Sequence, residues 1–312
     1  MENGEPVEGS IWFYAPTKGA PIPFAVIFGL STALHLWQCA RYKSWKVTAY
    51  LPFCAAIFTA GFACREVGAF DYTNINIYIA STLLVYMSPP ILELANYHIL
   101  GRTLYYVPYF SPIHPGRVLT TLGTLSAIVE VLNGLGLAVI TLFYTLAGVF
   151  HYRCVRAGVA HPRVKGVLYS LYVSMLLILA RTIYRAVEHF AAPASSATTV
   201  NIHDLSPILR YEWFFWVFEA SPMLVNVLLW NARHPLRTGG GLPSNHKKYL
   251  AQDGTTELDG PGWADKRNLV MTVIDPFGLV AVCERDRKGE PFWEENGFHH
   301  LLGGKSGTGQ NV

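Results

Sequence analysis

Eight ionisable side chains stand inside stretches that are otherwise apolar enough to cross a bilayer: Arg65, Glu93, Glu130, Arg181, Arg185, Glu188, Glu212 and Glu219. A charge at bilayer depth costs roughly 2.5–3.5 kcal/mol on insertion scales, so each needs a partner or water. Arg181, Arg185 and Glu188 are spaced i, i+4 and i+7, which puts them on one helix face. Glu93, Asn96 and Tyr97 share a face in the same way. Such clusters do one of two things: they pair between helices and hold a bundle together, or they line a cavity that takes an amphiphile. Glu93, Asn96, Tyr97, Glu130, Arg181, Arg185, Glu188 and Glu219 are the candidates for a substrate-binding cavity. Pro89-Pro90 adds to them, because each proline removes a backbone donor and bends its helix, and broken helices at membrane depth line cavities.

Other chemistries find little support. Of the 11 histidines, His35 lies at membrane depth, with His98 and His189 near helix ends. No HxxxH pair places two ligands on one helix face, so a seven-helix zinc hydrolase is disfavoured and no metal or cofactor is expected. Cys39, Cys54, Cys64, Cys154 and Cys283 form no CxxC pair, which argues against a disulfide scaffold or zinc ribbon. Gly303-Gly304-Lys305-Ser306 resembles the end of a phosphate loop, but the position five residues before Gly304 is His299, where that motif needs glycine. The chain therefore carries no visible ATPase, and an enzyme is not expected.

The elements that must position the charges follow from composition. Hydrophobic residues make up 51% of the 312-residue chain and charged residues 14%, against about 25% charged in a soluble domain. Mean hydropathy is +0.27. This is the composition of a polytopic membrane protein. The net charge of +3, with no basic stripe, argues against nucleic acid as a partner. Residues 1–21 carry Glu2, Glu5 and Glu8 against Lys18, the reverse of a signal peptide's basic start.

A membrane helix needs about 20 mostly apolar residues. Segments 22–40, 46–64, 75–98 and 166–187 satisfy this, and 208–231 has the length but includes Glu212 and Glu219. Segment 118–150 is too long for one pass and tight for two, with the helix-breaking Asn133-Gly134-Leu135-Gly136 at its middle. The positive-inside rule decides. Two passes give seven in all and gather Arg41, Lys43, Lys46, Arg102, Arg117, Arg153, Arg156, Arg163, Lys165, Arg233, Arg237, Lys247 and Lys248 inside, with Lys18 outside. A single pass leaves more basic residues outside than inside.

The expected fold is thus an all-α, polytopic transmembrane bundle of seven passes, the fourth and fifth short or fused. Residues 1–21 form an extracellular segment, 22–231 the bundle, and 232–312 a cytosolic, largely irregular tail. Within the tail, the apolar run Leu269–Ile274 before Asp275-Pro276-Phe277-Gly278 is a candidate strand or helix docking on the inner face. In this frame Arg65, Glu130, Arg181, Arg185, Glu188 and Glu212 fall in the outer third, Glu219 near the middle and Glu93 in the inner third. Counting from the inner helix ends, Arg181 and Glu219 differ in depth by about 4–5 Å on consecutive antiparallel helices. They are the expected buried ion pair.

Several strings carry a family likeness. They are Trp12-Phe13-Tyr14-Ala15-Pro16, Gly61-Phe62-Ala63-Cys64-Arg65, Pro89-Pro90 through Glu93, Asn96 and Tyr97 to Gly101-Arg102, Tyr109-Phe110-Ser111-Pro112-Ile113-His114-Pro115-Gly116-Arg117, Phe150-His151-Tyr152-Arg153-Cys154 and Arg181 to Glu188. Together they resemble the fungal RTA-like family, also called lipid-translocating exporters, over about residues 12–235. The resemblance implies a seven-helix plasma-membrane protein that moves amphiphilic lipids or lipid-like toxins, with sphingoid bases, sterol-like amines and porphyrins as candidate classes and membrane lipids as its partners. The alternative is a seven-helix sensor or regulator of lipid asymmetry or stress that signals through its tail. Two departures stand out. Phe58 occupies a place where the family often has an acid, and Gly123 and Glu130 replace a polar pair. The loop and first half of helix five also look shortened around 134–140, as a truncated or mis-spliced gene model or a degenerate paralogue would leave them.

The basic asymmetry predicts that cysteines placed at Lys18 and Lys247 react with impermeant thiol reagents from opposite sides of the membrane. Labelling of both from one side would mean that 118–150 crosses once.

Overall fold

The computed structural model describes residues 16–71, 73–113, 115–131, 136–159, 161–191, 206–237, 240–251 and 254–262, without the side chains at 116 and 127–131. Trp12–Ala15, Asn133–Leu135, the run Leu269–Ile274, Asp275-Pro276-Phe277 and Gly303–Ser306 lie outside the described residues, as does the side chain of Glu130.

Long helices dominate: α1 (Pro21–Tyr42), α2 (Tyr50–Gly68), α3 (Ile75–Tyr106), α4 (Pro115–Val131), α5 (Gly136–Arg156), α6 (Pro162–Ala191) and α7 (Trp213–Ala232). All but α4 are long and apolar enough to cross a membrane. At 17 residues α4 spans about 26 Å, slightly less than a hydrocarbon core of about 30 Å. Segment 118–150 contributes to two helices, α4 and α5, on either side of residues 132–135, which lie outside the described residues. The second of them has 21 residues, Gly136–Arg156.

Local chemistry explains the boundaries. Lys43 ends α1 in the left-handed region (φ 51°), where its N–H and that of Ser44 reach back to the last carbonyls. Residues Trp45–Thr48 form a separate turn, so the second helix starts at Tyr50 rather than 46. Asn74 caps α3, its side chain accepting from the Ile77 N–H. Gly158 (φ +72°) terminates α5, and Pro162 opens α6 where a missing N–H costs nothing. Helices α3 and α6 run to 32 and 30 residues, longer than the expected 75–98 and 166–187. A 32-residue helix is about 48 Å long, so α3 projects well past any bilayer.

Helix α3 is the centre of the bundle. It packs on α2, α4, α5 and α6, while α1 closes the ring between α2 and α7, and α7 lies on α6. Phe28, Phe58 and Phe62 stack between α1 and α2, joined by Phe24 and Trp216. Phe58, standing where an acid was the family expectation, is a stacking member of this core. Outward faces carry large apolar side chains such as Leu30, Trp37, Phe53, Leu83, Tyr169 and Leu176. Water would not tolerate so many, and acyl chains do.

Loops sort by end. One end gathers thirteen basic residues, Arg41 through Lys248; the other holds Lys18 and also Arg210, which precedes α7 instead of lying within it. The basic end carries a departure from an all-α chain. Lys248–Leu250 and Glu257–Asp259 pair as a short antiparallel hairpin, β1 and β2. The first part of the tail is thus ordered against the bundle, because α3 offers it donors: Arg102 Nη2 to the carbonyls of Pro243 and Asn245, and Tyr105 Oη to that of Lys247. Glu257 accepts from Tyr106 and Arg163. Residues 99–107 of α3 and its end are all buried as a result.

The tightest crossing is at Gly61 on α2. A Cβ there would come within 2.9 Å of Val85 Cγ2 and 3.2 Å of the Val85 backbone nitrogen. Gly61→Ala is expected to cost about 1–3 kcal/mol by forcing α2 from α3. Gly148→Ala, with open space around its Cβ, is expected to be neutral or stabilising by up to about 1 kcal/mol. Thermal unfolding of the two purified variants in detergent checks the contrast.

Candidate functional site

The charges of α6 and α7 converge in the half of the bundle away from the basic end. Three features of sequence bring them there. Arg181, Arg185 and Glu188 occupy one stripe of α6. Pro222 cannot donate to the carbonyl four residues back and its ring crowds it, and the turn before it, Trp216–Ala220, opens to a π-helix. Such bulges mark functional sites in many helices, and this one carries Glu219. Third, Tyr86 precedes Pro89-Pro90 on α3 by less than one turn.

Glu219 is fully buried, and both of its oxygens are claimed. Arg181 Nε donates to each at 3.1 Å, and Arg185 Nε donates to Oε2 at 2.6 Å. Arg185 continues outward: its Nη1 donates to Tyr86 Oη at 2.7 Å and to Glu188, and its guanidinium lies 4.0 Å over the Tyr86 ring. Tyr184 Oη also reaches Glu188. The cluster balances two positive and two negative charges. Side-chain exposure rises through it, from 0% at Glu219 and 8% at Arg181 to 16% at Arg185 and 24% at Glu188, with Tyr86 at 40%. A buried ion pair thus leads to an accessible edge. Arg185 Nη2 is buried without a hydrogen-bond partner, so the accessible polar group at the edge is the carboxylate of Glu188.

Three other polar groups fill the bundle. Glu93 accepts from Tyr97 Oη at 2.8 Å and Ser126 Oγ at 3.0 Å, facing α4. Asn96, expected on the same face, points instead to α6 and α7. Its Nδ2 donates to Ser174 Oγ at 2.7 Å and its Oδ1 accepts from Trp230 Nε1 at 3.1 Å. Residues three apart stand about 60° apart around the helix, enough for different neighbours of α3 to claim each. The third group is Arg65, whose Nη2 donates to Glu212 at 2.9 Å while its guanidinium sits 4.1 Å over the Phe215 ring. Glu212 also accepts from the Thr17 backbone. Depth reasoning placed Arg65 and Glu212 at one level but did not pair them; their positions at the outer ends of α2 and α7 were the available signal. Tyr86, Ser174 and Trp230 had none, since an aromatic or serine on an apolar helix is usually packing.

The structure therefore brings Arg181, Arg185, Glu188 and Glu219 together, including the expected Arg181–Glu219 pair, and places Glu93 with Tyr97 and Asn96 in separate networks.

Residues 131–241, which include the whole α6–α7 cluster, match the family model described as RTA1 like protein. A lipid-translocating exporter-like protein RTA1 of Leptosphaeria maculans is 42% identical over 90% of this chain, which spans 61% of that relative's length. A probable lipid transporter, atnI, of Emericella nidulans is 24% identical over 73% of this chain and 68% of its own. Protein RTA1 of Saccharomyces cerevisiae is 25% identical over 82% and 93%. No solved structure matches the chain.

Sharing of Glu219 makes the cluster asymmetric. Glu219→Ala strands two guanidinium groups and is expected to cost about 3–5 kcal/mol, seen as loss of monodisperse protein. Arg181→Ala leaves Arg185 on the carboxylate and is expected to cost distinctly less. The pair Arg181→Met and Glu219→Gln is expected to show a coupling of about 0.5–3 kcal/mol in a double-mutant cycle of thermal stability.

Proposed function

This chain belongs to the RTA1-like family, and on that footing we propose that it carries amphiphilic lipids or lipid-like toxins across a membrane. Relatives bearing the names lipid-translocating exporter-like protein and probable lipid transporter support the general activity. The observation that carries the reading to particular residues is the graded cluster of α6 and α7: Glu219 buried and fully paired, Arg185 and Glu188 progressively open, Tyr86 at the edge.

An amphiphile has to keep its tail in lipid while its headgroup leaves water. Arg185, Glu188 and Tyr86 lie beside outward-facing apolar side chains, among them Leu83, Met87, Ile183 and Val187. A headgroup hydrogen-bonded to Glu188 would have its chain lying along those residues. Amines with neighbouring hydroxyls, as in sphingoid bases, fit best, since the partly exposed Glu188 carboxylate accepts from both. Sterol-like amines and porphyrins, with fewer matched groups, follow.

The proposed topology has seven passes. The short α4 counts as the fourth, the N-terminus lies outside, and the thirteen-residue basic end and tail lie in the cytosol, in the plasma membrane. The cluster then opens toward the outer leaflet. Residues 1–21, 22–231 and 232–312 are the corresponding extracellular, membrane and cytosolic parts. Glu93, Asn96, Tyr97 and Glu130 enter the proposal as further lining, behind the α6–α7 group.

Overexpression is expected to raise tolerance to long-chain bases. Glu188→Gln is expected to lower that protection several-fold while leaving protein level at the membrane unchanged, since Glu188 is the least buried charge of the cluster. Growth inhibition curves against several amphiphile classes, with surface protein quantified, check it. Equal protection by wild type and Glu188→Gln would remove Glu188 from the path, and none by wild type would overturn the transport reading.

A further inference from the structure

Buried arginines in this bundle follow a rule with one exception. Arg65 has Glu212 at 2.9 Å and Arg181 has Glu219 at 3.1 Å. Arg102, on α3 at the basic end, is fully buried, yet no carboxylate pairs with it among the described residues. Its Nη2 donates to the carbonyls of Pro243 and Asn245 at 3.2 and 3.1 Å, while Nε and Nη1 have no hydrogen-bond partner. The rings of Tyr105 and Tyr106 lie 5.9 and 5.8 Å away. Glu257, the nearest acid in the hairpin, is already held by Arg163, Lys248 and Tyr106. Neutral carbonyls and ring faces soften the positive charge without cancelling it.

The surroundings add charge of the same sign. The loop that covers Arg102 carries His246 and Lys247, and the exposed Lys46 stands on the turn Trp45–Thr48, which packs on α3. Burial first, then Lys46, Arg102 and Lys247, hold the His246 imidazole below its ordinary range. Four basic groups from three parts of the chain therefore gather at this end, Lys46 and Lys247 exposed, His246 partly so and Arg102 buried beneath the loop. Like charges gathered this way repel unless an anion sits among them.

We infer that Lys46, Arg102, His246 and Lys247 form a binding site for a phosphate group at the basic end of the bundle. The phosphate rests on Lys46, His246 and Lys247, and the buried Arg102 guanidinium beneath the loop adds positive charge that forms no ion pair among the described residues. A phosphomonoester, with close to two negative charges, suits four basic groups better than a singly charged diester. The site stands where α3 leaves the hydrocarbon, so an anionic lipid headgroup reaches it with its chains still in the membrane, and a soluble phosphate reaches it from water. It is separate from the α6–α7 cluster, and it does not depend on which way the protein faces or on what it transports.

Thermal unfolding of the full-length protein in detergent tests this with three probes: dioctanoyl phosphatidylinositol 4-phosphate, inorganic phosphate, and dioctanoyl phosphatidylcholine. Saturable stabilisation by the first and none by the third is expected. Lys46→Gln with Lys247→Gln, two exposed positions that leave the fold intact, is expected to weaken that binding about tenfold. Arg153→Gln with Arg156→Gln removes the same charge from another exposed part of the basic end and is expected to leave it unchanged. Stabilisation by inorganic phosphate at comparable affinity would identify a soluble anion as the occupant, and a need for the acyl chains would identify a lipid; both uphold the site. No saturable shift with any phosphate probe, or equal weakening in the two double variants, would overturn it.

Discussion

A carboxylate with no access to solvent, gripped by two guanidinium groups, is the constraint around which this bundle is arranged. In water an ion pair between exposed side chains adds little. Here Glu219 lies at zero exposure, and the medium beyond the helices is acyl chain. Without Arg181 and Arg185 the charge would have no counterpart, so α6 and α7 are obliged to meet at one register. That register fixes where Asn226 meets the Ser174 carbonyl and Trp230 meets Asn96, and through Asn96 it sets α3 against both helices. Apolar surfaces slide past one another in lipid because tails solvate them equally well. The polar contacts supply the registration that the hydrophobic effect cannot.

The same reasoning accounts for the irregular turn in α7. A regular helix through Pro222 would force its ring onto a carbonyl. The π turn at Trp216–Ala220 relieves that crowding and adds a residue's width, and Glu219 sits within it. Helix strain and charge placement are thus met by one local change. Pro89-Pro90 in α3 behaves differently: the helix continues through them, and Cys54 Sγ donates to the Ser88 carbonyl beside them.

How much of this was legible in the sequence follows from which forces act locally. Apolar runs announced the spans, because bilayer thickness sets their length whatever the partners. Basic loops sorted the ends, because that rule counts charge and ignores contacts. The Arg181–Glu219 pair was legible because depth along a helix is simple arithmetic. Asn96 was misplaced to the face of Glu93 because its direction depends on which neighbours surround α3. Arg65 and Glu212 went unpaired for a similar reason, since α2 and α7 are far apart in the chain and nothing local announces that their ends meet. The hairpin of β1 and β2 was unreadable because Gly-rich polar chain folds there only by borrowing donors from α3. Chain beyond a membrane span gives no periodicity to mark where such a helix stops, so α3 ran on past 98 unannounced.

The clasp between α3 and the tail carries a consequence for how the protein is made. Arg102 donates to carbonyls 141 and 143 residues further along the chain. At about 5–20 residues per second of synthesis, those carbonyls leave the ribosome roughly 7–30 seconds after Arg102 does. For that interval the last turns of α3 have no protein roof, and water and lipid headgroups solvate the guanidinium in its place. The third helix is inserted early yet completed last. A nascent chain that stalls anywhere before Pro243 therefore has a positively charged helix end without its protein cover.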